Sequence, residues 1–167
     1  MAAFRRRETR AQAAPPAVRR GAARWSSAEK VQTALFSACD EGEEATLAAV
    51  LALEGELAVN VHAGDELGFG HASGGGHLGC VAQLLALAGP RRVDVHAADE
   101  AGFAMACERG HVDTLELLLA LDGDRRVDVH AQDSRGWRLA CKHGHVPVMR
   151  CLLALAGARR IDVHAGA

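Results

Sequence analysis

Apolar residues in this chain recur at helical spacing in short blocks that end at glycine. Over residues 112–121, Leu115, Leu118 and Leu119 fall three and four apart and leave Asp113 and Glu116 on the other side, the pattern of a helix with one buried face. The block before it, 100–109, is closed by Gly110, which can take the positive φ of a helix end, and Asp99 is the expected N-cap. The spacing predicts helices over about Glu100 to Arg109 and Val112 to Leu121. Pro147 opens the equivalent of the second helix further on, where a missing N–H does no harm. Asp122-Gly123-Asp124 then turns the chain, and Val127-Asp128-Val129 alternates as a short extended segment does. One unit reads helix, turn, helix, extended finger.

The unit repeats. Arg91-Arg92-Val93-Asp94-Val95-His96-Ala97 returns unchanged at 125–131 and, with Ile for Val, at 159–165, a period of 34. Phe103-x-x-Ala106-Cys107-x-x-Gly110-His111 matches Trp137-x-x-Ala140-Cys141-x-x-Gly144-His145, and Leu35-x-x-Ala38-Cys39-x-x-Gly42 keeps the same frame. Four units are expected, 28–61, 62–95, 96–129 and 130–163, within a repeat domain of 25–167. A lone helix pair cannot bury both its faces, so such units stack and share a core, giving an all-α repeat solenoid with short extended fingers.

Ala106-Cys107-Glu108-Arg109-Gly110-His111, followed by Leu115 and the Leu117-Leu118-Leu119 run, resembles the ankyrin repeat, and Val95-His96-Ala97-x-Asp99 looks like that family's hairpin with His at its Asn position. The resemblance covers roughly residues 30 to 165. It departs from the family where Glu100-Ala101-Gly102-Phe103 replaces the Thr-Pro-Leu-His opening and where the stretch after Gly-His is about four residues longer, as in a divergent subtype. The resemblance implies a protein-binding module, a scaffold or adaptor that uses finger tips and a concave helix face, with no catalytic residue and no cofactor. Positions that differ between matching units are the candidate contact residues: Glu66, Gly70, Glu100, Ala104, Glu108, Ser134, Arg138 and Lys142. The rival reading is a purely structural or degenerate array, a fragment of a longer ankyrin protein.

Composition narrows the partners. The chain is 49% hydrophobic but only 4% aromatic, which suits closely stacked helices. Residues 1–24 hold seven Arg and one Glu, leaving twelve basic against twenty acidic residues elsewhere, so the body lacks the clustered basic face that nucleic acid requires. No run reaches the roughly 18 apolar residues that span a bilayer. Five cysteines without a signal peptide point to reduced thiols and a cytoplasmic setting. Residues 1–24 read as a disordered tail, with an organelle-targeting leader as the alternative; Ser26 and Glu29 then have capping-box spacing, with Trp25 as a staple. The array is expected to be monomeric unless its C-terminal end associates.

Candidate chemistry within the units is weak. His62, His96, His130 and His164 form a ladder, yet stacked helices lie about 8–10 Å apart and cannot bring neighbouring imidazoles onto one zinc, so no metal site is expected. Cys39, Cys107 and Cys141, with Ser73 in phase, are expected to fill a buried slot. The paired arginines at 91 and 92, 125 and 126, and 159 and 160 form either a basic ridge or loops neutralised by Asp94, Asp128, Asp162, Asp122 and Asp124. Gly68, Gly70, Gly74, Gly75 and Gly76 thin out the first helix of the second unit, which should be the weakest part of the array.

Overall fold

A computed structural model describes residues 26–161; Trp25, Asp162, His164 and residues 1–24 lie outside that range. Its helices are α1 (Ala28–Glu41), α2 (Glu44–Leu51), α3 (Ala63–Gly75), α4 (Leu78–Leu85), α5 (Ala97–Arg109), α6 (Val112–Leu119), α7 (Ala131–His143) and α8 (Val146–Leu153). Each second helix of a pair is followed by a single 3-10 turn, at Gly55–Leu57, Gly89–Arg91, Gly123–Arg125 and Gly157–Arg159. The pairs stand in a row. First helices α1, α3, α5 and α7 pack closely on one another, and second helices meet their neighbours less extensively.

Of the leucines expected to face inward, Leu115 and Leu118 are buried and Leu119 is partly buried; the counterparts Leu47, Val50, Val81, Leu84 and Leu152 are buried as well, and Met149 is partly so. Val127 and Val129 are buried while Asp128 between them is exposed, so the alternation is real. Among the described residues, however, the fingers form no strand. Three of them end in side-chain-closed turns, in which Asn60, Asp94 and Asp128 accept the backbone N–H of His62, His96 and His130 at 2.9–3.0 Å.

Two helix starts differ from expectation. Ser27 caps α1, accepting the Lys30 N–H, while Ser26 accepts from the Lys30 ammonium instead. Asp99 caps nothing. Ala98, Asp99 and Glu100 have φ of 49, 54 and 64°, so α5 opens with a left-handed turn, repeated at Gly64-Asp65-Glu66 and Gln132-Asp133-Ser134. That conformation costs about 1 kcal/mol or more per non-glycine residue, and at two of the three turns Glu66 and Glu100 make contacts across the joints.

The glycines at 68, 102 and 136 share one phase, and the last two are needed for close approach. A Cβ on Gly102 would lie 2.7 Å from the Phe69 ring, and one on Gly136 would lie 2.6 Å from the Phe103 ring. Gly74 likewise admits Met105, whose methyl would sit 2.9 Å from an added Cβ. The glycines of the second pair are therefore partly contact surfaces for its neighbour.

Candidate functional site

The joints between pairs hold most of the polar chemistry. His96 Nδ1 lies 2.6 Å from Glu100 Oε1, and its Nε2 lies 2.9 Å from the Asp124 carbonyl of the following turn. The same Glu100 oxygen accepts the Asp128 N–H at 2.9 Å. His62, Glu66, Pro90 and Asp94 reproduce the arrangement one pair earlier, at 2.5, 2.8 and 3.1 Å. At the first joint Gln32 takes the carboxylate's place, exchanging two hydrogen bonds with the Asn60 backbone at 3.0 and 3.1 Å. His130 retains its contact to the Ala158 carbonyl at 3.0 Å but faces Ser134 at 3.4 Å. Both ring nitrogens of His62 and His96 meet acceptors, so the imidazolium is favoured: the hydrogen bond to Glu66 or Glu100, and next the carbonyl contact, holds each pKa above its usual value.

Further contacts tie pair to pair. His77 and His145 place Nε2 2.9 and 2.7 Å from the Asp40 and Glu108 carbonyls. Arg91, Arg125 and Arg159 donate through Nη1 to the carbonyls of Leu51, Leu85 and Leu119, the last residues of α2, α4 and α6, where a cation complements the helix dipole. The first arginine of each pair is thus turned inward. Of the second arginines, Arg92 makes a two-pronged pair with Asp124 at 2.7 Å, which raises the Arg92 pKa and lowers that of Asp124. Asp94 and Asp128 are occupied by finger turns.

The sequence-derived contact residues divide accordingly. Glu66, Glu100 and Ser134 are buried at 5, 4 and 6% exposure. They face the joints, because the left-handed turn rotates this phase towards the next finger. Gly70 and Ala104 are also buried. These five positions are out of a partner's reach. Arg138 and Lys142 are exposed and Glu108 is partly so. The structure adds Leu67, 40% exposed, with Met105 and Leu139 partly exposed on the same side. Leu67 and Met105 border a small cavity of about 110 Å³ with Gly70 and Ala101. Around them, His71 lies 3.7 Å from Asp40 and His143 lies 3.7 Å from Glu108. Apolar character at positions 105 and 139, outside the core phase, was the available signal.

The cysteines are free thiols. Burial first, and then Cys80 and Cys151 respectively, push Cys39 and Cys107 up to about 12, so neither is a thiolate at neutral pH. Cys141 departs from the expected buried slot and is exposed. An aromatic disulfide reagent should therefore react with Cys141 first, and with Cys39 and Cys107 only at the rate of unfolding; equal rates for all three would contradict this packing. Among the described residues, no group of three or more His, Cys, Asp or Glu side chains is placed to hold a metal ion, and no helix is long and apolar enough to cross a membrane. No protein-family model matches the chain, and no curated protein matches it.

Proposed function

We propose that this chain is a divergent ankyrin-type array that binds another protein through the open side of α1, α3, α5 and α7. The observation that carries the reading is the apolar strip formed by exposed Leu67 with partly exposed Met105 and Leu139, together with the charged residues Glu108, Arg138 and Lys142 on the same helices. Joint-forming residues tie each pair to the next, and binding surfaces take this form of apolar anchors with a charged rim. The repeated Gly-His frame and the sequence period support the ankyrin assignment. Buried free thiols fit an intracellular setting. No catalytic role is proposed.

The test is affinity capture from native lysate with the full chain beside a variant carrying Met105→Glu and Arg138→Glu, both checked for folding by circular dichroism. A partner held by the parent and released by the folded variant is the expected result. A partner indifferent to both changes, or none, overturns the reading. Glu100 is unsuitable for such a variant, because changing it attacks a joint.

A further inference from the structure

The joints are directional, and the two outer faces of the row complement each other. At each internal joint a side chain at one phase of a first helix lies against a glycine of the next: Leu35 against Gly68, Phe69 against Gly102, Phe103 against Gly136. Trp137 has that phase in α7 and is only partly covered, with Cys141 and Lys142 exposed beside it on the helix and Leu153 of α8 50% exposed. The receiving phase in α1 is Ala34. It lies with Ser37, Ala38 and Thr46 in an open groove of about 550 Å³ along α1 and α2.

Charge follows the same polarity. Residues 28–61 hold one Lys against seven carboxylates, a net of −6, whereas residues 130–161 hold six Lys and Arg against one Asp, a net of +5. Glu29, Glu43 and one cation, Lys30, line the groove itself, and Ser37 of the groove donates a hydrogen bond to Glu41. Internal geometry also gives the register. Gly74 lies against Met105 and Arg109 of the next first helix; Lys142 has the phase of Gly74, and Ser37 and Glu41 have the phases of Met105 and Arg109. One further step of the same stacking brings Lys142 to Glu41.

We propose that copies of this chain associate head to tail, the α7–α8 face of one stacking on the α1–α2 face of the next, with Trp137 over Ala34 and Lys142 beside Glu41. The two faces differ, so each addition leaves one of each free and growth does not stop at a dimer. Opposite net charges speed the encounter and make the association sensitive to salt.

Sedimentation equilibrium of the full chain over rising concentration tests this. At low salt the weight-average mass should climb past the dimer, and it should fall towards the monomer at high salt. Lys142→Glu and Glu41→Lys, both at exposed positions, should each weaken association roughly tenfold by placing like charges together, and the chain carrying both should recover it. Circular dichroism confirms that each variant is folded. Three results overturn the proposal: a monomer at every concentration, as expected if the arginines of residues 1–24 occupy the acidic face in cis; a mass that stops at the dimer; or a double variant no better than the singles.

Discussion

Glu100→Ala is expected to lower the unfolding free energy by about 2 kcal/mol, whereas Glu100→Gln costs clearly less. Glu100 is 4% exposed, and one of its oxygens serves both His96 and the Asp128 N–H. Alanine leaves that N–H and Nδ1 of the imidazole without an acceptor at a joint between two pairs. Glutamine restores an acceptor of the same reach, as Gln32 already does at the first joint. Equilibrium urea unfolding of the three chains decides it; equal losses for alanine and glutamine would sink the account.

The same joint predicts the pH dependence. The His62 and His96 pKa values are raised in the folded state, chiefly by their hydrogen bonds to Glu66 and Glu100. A raised pKa means that the folded form binds the proton more tightly than the unfolded chain does. The extra stability is therefore complete below the ordinary imidazole value of about 6.5 and is lost as pH rises through the raised folded value. Unfolding free energy should fall over that window in the parent and less steeply in Glu100→Gln. A parent whose stability rises there would contradict the assigned charge state.

Gly102→Leu is expected to cost about 3 kcal/mol, the upper range for overpacking a close helix contact. The added Cβ alone meets the Phe69 ring at 2.7 and 3.0 Å and Ser73 Oγ at 3.3 Å. The ring is itself buried, so moving it aside disturbs the packing around it. The informative comparison is alanine at the two equivalent positions. At Gly68 an added methyl lies 3.4 Å from Cys39 Sγ and 3.6 Å from Leu35, ordinary contact, so Gly68→Ala should recover part of the roughly 1 kcal/mol that an interior helical glycine costs. Gly102→Ala should destabilise. Thermal unfolding of the two variants tests the order, and Gly102→Ala as stable as Gly68→Ala would show that the first helices are not held at this spacing.

The helix pairs were legible in the chain because their determinants are local. Leu115 and Leu118 lie on one face by helical spacing, Gly110 can take φ of 83°, and Val127 and Val129 alternate with Asp128, whatever stands beside them. The contact surface was legible only in part. Variation between matching positions marked Arg138 and Lys142, which are exposed, and marked Glu66, Glu100 and Ser134 equally, which are buried. Composition could not separate the two groups. A glutamate beside a histidine reads as surface charge until the next finger supplies a backbone N–H, and an inward arginine reads as solvated until a helix end supplies a carbonyl.

The chain by itself determined where helices begin to bury a face, where glycine ends them and how the motif recurs. The tertiary structure alone decided which polar groups face the solvent and which are spent at joints. Spacing along one helix fixes direction about its axis, but the acceptor or donor that makes burial of a charge tolerable comes from a neighbour 28 to 40 residues away.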